Sequence, residues 1–144
     1  MIVSQILKSK AYIGVISVKA DASVSEAVGI LSEKRIGTVV VSEDGASLDG
    51  ILSERDIVRE MGKRGVACLA EPVSAVMTAK LVTCSPEDTT DKVLEMMTIG
   101  RFRHLPVMDN GAMVGLISIG DVVKARLSEL SMEKDALQGM IMGH

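Results

Sequence analysis

Aromatic side chains are almost missing from this chain: its 144 residues include one Phe, one Tyr and no Trp. A surface that stacks successive bases of single-stranded nucleic acid needs several such rings, so that class of function is excluded. Positive charge is not in excess either, and a formal net charge of −3 leaves no footprint for a phosphate backbone. The two cysteines, Cys68 and Cys84, are too few and too isolated for a zinc site or a disulfide framework and are expected to be reduced, partly buried thiols. No apolar run reaches the roughly 18 residues that a helical membrane span needs. The N-terminus has no charged segment followed by a long apolar core, so the expected location is the cytoplasm.

Catalytic patterns are missing as well. The two histidines, His104 and His144, have no nucleophile pattern near them. There is no G-x-x-x-x-G-K-[ST] phosphate loop and no G-x-G-x-x-G opening a helix. The expectation is a protein that is not an enzyme and holds no metal.

What the chain does contain is a repeat. Hydrophobic residues make up 47%, mostly Val, Ile, Leu, Ala and Met, enough to bury the core of one domain or of two small halves. The stretch Gly111 to Val123 has a copy at Gly45 to Val58. Within them, Gly50-Ile-Leu-Ser53-Glu-Arg-Asp56 answers Gly115-Leu-Ile-Ser118-Ile-Gly-Asp121. Each reads as a strand running into a helix. The first N–H groups of a helix lack partners and sit at the positive end of its dipole, so an anion such as phosphate is favoured there. The serine adds a donor, and the two oxygens of an aspartate in the first turn suit the two hydroxyls of a ribose. The same S-x-x-D spacing is also a capping pattern that satisfies only its own backbone. Its recurrence in both halves, each time after a glycine that would let a ligand approach the backbone, favours the binding reading.

The rest of each copy follows in step. Val3 to Leu7 resembles Val73 to Met77, short amphipathic turns placed to cover a sheet edge. Val15-Ile-Ser17-Val18 answers Leu81-Val-Thr83-Cys84 as a first strand, at an offset of 66 (81 minus 15). Val24, Ala27, Val28 and Leu31 answer Thr90, Val93, Leu94 and Met97 as the buried stripe of a helix, with Ser23 and Glu26 as its capping box. The Met96-Met97 pair reads as core filler. Gly37 to Ser42 and Arg103 to Met108 read as strands, and Asp44-Gly45 and Asn110-Gly111 as tight hairpin turns. Met61 to Pro72 reads as a linker. The predicted organisation is residues 1–64 for the first repeat with its N-terminal segment, 65–72 for the linker, 73–127 for the second repeat and 128–144 for a helical tail. Leu127, Leu130, Lys134, Leu137 and Ile141 give that tail an a/d rhythm.

The doubled G-h-h-S-x-x-D endings, Val76-Met77-Thr78 and Arg103-His104-Leu105-Pro106-Val107 resemble a cystathionine-β-synthase (CBS) domain pair, or Bateman module, over roughly Val3 to Leu127. The resemblance implies an α+β fold of tandem βαββα repeats with pseudo-twofold symmetry. It implies clefts for adenosine-containing ligands: AMP, ADP, ATP or NAD(H), with S-adenosylmethionine ranked behind them. Carried over by position, Asp56 and Asp121 would hold ribose hydroxyls, and Ser53 and Ser118 would sit near phosphate. Ser17 and Thr83 would lie beside base or ribose, and Arg103 and His104 would face phosphate. Thr38, Arg55 and Pro106 complete the candidate set, Pro106 at an edge or bulge because it has no N–H to give a ladder. The copies are unequal: Gly37-Thr38 stands where Arg103-His104 stands, and Gly120 answers Arg55, so the clefts are expected to differ.

Three readings stay open on the sequence. The first is a stand-alone nucleotide sensor that regulates an unidentified protein, with no nucleic-acid or membrane partner. The second is a structural dimerisation module with empty clefts, and the third a small enzyme. Apolar residues on the helices after Asp56 and Asp121, namely Ile57, Val58, Met61, Val122 and Val123, together with the tail, predict a homodimer.

Overall fold

The computed structural model describes residues 1–10 and 15–141. Its helices are α1 (Val3–Ser9), α2 (Val24–Lys34), α3 (Glu54–Arg64), α4 (Thr90–Gly100) and α5 (Ile119–Ile141). Its strands are β1 (Ser17–Val18), β2 (Thr38–Val41), β3 (Gly50–Ser53), β4 (His104–Asp109) and β5 (Ala112–Ser118). β1 pairs in parallel with β2, and β2 antiparallel with β3; β4 and β5 form a second small sheet. Small sheets flanked by helices, in two repeats, are the α+β architecture that the resemblance implies.

The chain divides into two compact units. One unit is built on the first repeat up to Val82, with the β4–β5 tip Asp109–Val114; the other takes Thr83–Met108, the chain from Gly115 onward and α1. The N-terminal helix therefore belongs with the second repeat, where Val3 and Ile6 enter the core and Val3 N–H donates to Asp88 O at 2.8 Å. Val73 and Val76, at the head of the second repeat, enter the core of the first. Residues 65–72 are not a loose tether. Gly65–Ala70 is a 3-10 helix against α2 and α3 with Cys68 buried, and Val24 N–H donates to Glu71 O at 2.9 Å.

The two cores are built from equivalent positions. Val18, Ala27, Leu31, Val39, Val41 and Leu52 fill one; Cys84, Val93, Met97, Leu105, Val107 and Ile117 fill the other. Both central helices open on a hydroxyl cap, Ser23 accepting from Glu26 N–H and Thr89 from Lys92 N–H. Both close on an arginine in the left-handed region, Arg35 at φ 54° and Arg101 at φ 57°. Met97 is core, as expected.

Two local expectations are corrected. Asn110 and Gly111 both have positive φ, 52° and 78°, and make the tight turn their sequence predicts. Asp44-Gly45 does not, because the Asp44 carboxylate accepts from Ala46 N–H and Ser47 N–H at 2.9 and 2.7 Å and holds residues 42–49 in a longer loop. Those N–H groups, Ser47 first, pull the Asp44 carboxyl down to about 2. The strand expected at Leu81–Cys84 is reduced to one parallel bridge, Cys84 to Val107. In the first repeat Val40 N–H donates to Ile16 O at 3.0 Å. Pro106 holds the position of Val40 and has no N–H to donate, so the ladder stops one bond short.

Candidate functional site

Each repeat gathers its predicted polar residues at one strand-to-helix junction. In the first, Thr38 lies opposite Ser53 and Ser17 opposite Val40 in the ladder. Side chains alternate along a strand, so Ser17, Thr38 and Ser53 share the sheet face turned away from Val39, Val41 and Leu52, the core of their own unit. Gly37 O accepts from Glu54 N–H at 2.8 Å, which seats the start of α3 beside β2. The second repeat reproduces the joint: Arg103 O accepts from Ile119 N–H at 2.8 Å, bringing Arg103 and His104 beside Ser118 and Asp121. By the same alternation His104, Pro106 and Ser118 lie opposite the core face of Leu105, Val107 and Ile117. Arg103 and Thr83 are exposed, Thr83 next to the Cys84 bridge. Arg55 is exposed on the first turn of α3, and it is not the cation beside Asp56. His144 lies outside the described residues.

Both S-x-x-D pairs are reciprocal caps. Ser53 Oγ accepts from Asp56 N–H at 3.2 Å while Ser53 N–H donates to Asp56 Oδ2 at 2.9 Å. Ser118 Oγ accepts from Asp121 N–H at 3.1 Å while Ser118 N–H donates to Asp121 Oδ2 at 2.9 Å. Capping does not exhaust a carboxylate, which has about four lone-pair sites. The remainder is used differently in the two copies. Asp56, buried, pairs through Oδ1 with Arg59 on its own helix and accepts from Thr78 Oγ1 at 3.5 Å. Asp121 pairs through Oδ2 with Lys10 at 3.0 Å, and the same ammonium donates to Leu116 O at 2.8 Å. Burial pushes the Asp121 carboxyl up, but the Ser118 N–H and the Lys10 ammonium outweigh it and hold the group below the ordinary aspartate value.

The glycines before each serine have a different role from the one expected. A Cβ on Gly50 would stand 2.6 Å from Met77 Sδ, and one on Gly115 would stand 2.7 Å from Leu7 Cδ2. The close approach is made by the chain's own lead-in segments, not by a ligand. Sequence reasoning also missed Lys10 and Arg59. The D-x-x-R spacing of Asp56 and Arg59 on one helix face was a usable signal; Lys10 had none, because its partners lie more than a hundred residues away. A cleft of about 470 Å³ opens beside Asp121, lined among others by Ser9, Lys10, Lys124 and Ser128. Among the described residues no cluster of His, Cys, Asp and Glu is placed to hold a metal ion, and no helix is long and apolar enough to cross a membrane.

Two copies of one joint, each with a capped aspartate and polar strand residues on the face away from its core, define a tandem-repeat module. The chain belongs to the CBS domain family, whose sequence profile matches residues 3–63 and 73–128. A CBS-domain-containing protein of Agrobacterium tumefaciens has 45% identity and a TM-score of 0.83, over 88% of this chain and 99% of that one. The mitochondrial CBS domain-containing protein CBSX3 of Arabidopsis thaliana is 35% identical over 127 residues, which span 85% of this chain and 62% of that relative's length. The CBS domain pair of the protein MJ0100, solved in complex with 5′-methylthioadenosine and S-adenosyl-L-methionine, shares the fold at TM-score 0.76 and 22% identity, over 90% of this chain and 98% of that one.

Proposed function

We propose that this chain is a regulatory module that binds an adenosine-containing ligand, AMP, ADP, ATP or NAD(H), at its strand-to-helix junctions and catalyses no reaction itself. The observation that carries the reading is the doubled joint: in each repeat an aspartate is fixed by its serine cap, and its remaining contacts are to side chains whose place a diol can take, Arg59 and Thr78 in one copy and Lys10 in the other. Strand hydroxyls of Ser17 and Thr38 accompany it in one repeat, and Arg103 and His104 in the other. The adenosine ligands of the MJ0100 domain pair belong to that protein, and they support the ligand class here. Regulation follows from differential affinity: a ligand that binds one arrangement of the module better shifts the population toward it, and with it the affinity for a partner protein. A homodimer in the cytoplasm is part of the proposal.

Thermal unfolding with AMP, ATP, NADH and S-adenosylmethionine, followed by calorimetry on any that shift it, tests the reading. A ligand at about 100 times its Kd adds about 2.7 kcal/mol to the folded state. Absence of binding by all four at millimolar concentration overturns it. One observation favours a second reading, a dimerisation module with empty clefts: both aspartates already serve their own helix starts. That reading expects a dimer whose melting no nucleotide moves.

A further inference from the structure

We infer that Lys10 makes the second repeat selective for phosphorylated nucleosides, by acting as an internal competitor for Asp121 that an anionic ligand can satisfy and a neutral one cannot. The inference rests on the nucleoside reading of Asp121 above. Lys10 Nζ is 3.0 Å from Asp121 Oδ2 and 2.8 Å from Leu116 O, so it occupies the carboxylate and a sheet-edge carbonyl together. Both side chains are about three-quarters buried, at 27% and 24% exposure, where the pair is poorly screened by salt. The cleft beside them, about 470 Å³, is within the range of small-molecule sites. Its lining adds Lys124, Ser9 and Ser128 to the apolar Ile6 and Ala125.

A neutral nucleoside that sets its two hydroxyls on Asp121 has to share or displace the ammonium. Displacement leaves a largely buried cation without its partner, which costs more than the pair itself is worth. A nucleotide brings its own replacement, because its phosphate takes over Lys10, with Lys124 on the same wall, while the sugar takes the carboxylate. The first repeat lacks this device. Its aspartate pairs with Arg59, which is 56% exposed and turns into water at little cost. The carbonyl of Ile51, counterpart of Leu116, is already bonded by Thr78 N–H at 2.8 Å.

The test is calorimetry of the full chain with AMP and with adenosine, in an Asp56→Ala background that silences the first repeat, comparing Lys10 with Lys10→Met. Thermal melts establish that each variant is folded, and Lys10→Arg, which keeps the charge, serves as the second variant. Loss of Lys10 is expected to weaken AMP, strengthen adenosine and so lower the AMP-to-adenosine preference by about tenfold or more, with Lys10→Arg retaining most of it. Gain of adenosine binding by Lys10→Met where the Lys10 protein shows none also supports the competitor. An unchanged preference with both ligands still bound overturns the role of Lys10 and leaves the nucleoside reading standing. Absence of binding by either ligand to either protein overturns both.

Discussion

Leu7 seats its methyl groups where a side chain on Gly115 would have to stand, 2.7 Å from the position of a Cβ. Met77 does the same to Gly50, at 2.6 Å, but there the Thr78 carbonyl also lies 2.9 Å away. Gly115→Ala therefore meets only the end of a flexible leucine, whereas Gly50→Ala meets backbone that is itself bonded to β3. Overpacking of this kind costs about 1–3 kcal/mol, with Gly50→Ala at the upper end and Gly115→Ala at the lower. Urea unfolding of the two variants checks the order, and equal or negligible losses would show that the lead-in segments are not held against the sheets.

Arg35 and Arg101 end α2 and α4 in the left-handed region, and each is followed by a bond back into the helix, Ile36 N–H to Leu31 O at 3.1 Å and Phe102 N–H to Met97 O at 3.3 Å. A residue with a Cβ gives up about 1–2 kcal/mol in that conformation, while glycine costs about 0.5–1 kcal/mol in chain entropy. Arg35→Gly is expected to stabilise the protein by up to about 1 kcal/mol. A denaturation midpoint that moves downward would mean the arginine side chain makes up the difference.

The repeat, its two stripes of core residues and the second tight turn were legible because each rests on local spacing. Val39 and Leu105 alternate into their cores as any strand residues would, and Asn110-Gly111 carries its own turn geometry. Legibility failed where the deciding partner was remote. Lys10 beside Asp121, and Leu7 over Gly115, join the two ends of the chain, so no window of sequence contains them. Of the apolar residues assigned to an interface, Ile57 and Val122 instead fill their own cores, while Val58 and Val123 are exposed. A stripe on a helix says that one face is buried, and not against which neighbour. Pro106 was readable as a missing donor, and its consequence, a first strand cut to one bridge, follows from comparing it with Val40.

Burial pushes the Cys84 thiol up to about 12, with the nearby Asp88 carboxylate adding to the shift. The folded state thus holds this proton more tightly than the unfolded chain, where a cysteine titrates near about 8.5. The resulting stability is fully present below that value and is lost as the pH rises toward 12. Val18 occupies the equivalent place in the first core, so Cys84→Val is a substitution that the fold already accommodates. The variant is expected to lose less stability than the parent between neutral pH and pH about 10. Parallel curves for the two proteins would mean that the thiol ionises freely, and fast labelling of Cys84 by a thiol reagent at neutral pH would agree with that outcome.

The tail is one continuous helix with the remainder of α5, and its apolar stripe is uncovered within the chain. Leu127 is 62% exposed, Leu137 57% and Ile141 77%. Their 3, 4, 3, 4 spacing with Leu130 and Lys134 is the rhythm of a helix that pairs with another, and a lysine in the seam makes two heptads a weak coiled coil by themselves. A stripe of this size left in water favours association. Pairing with a second copy through the same patch on both chains closes the assembly at two. The expected result is light scattering at twice the 15.3 kDa chain mass at micromolar concentration. Leu130→Glu combined with Leu137→Glu should return it to one chain with its helix content unchanged, because neither side chain is buried in its own unit. Lys134→Leu, which removes the charge from the seam, should tighten the dimer. A parent protein that scatters as a single chain, with or without nucleotide, would overturn the homodimer.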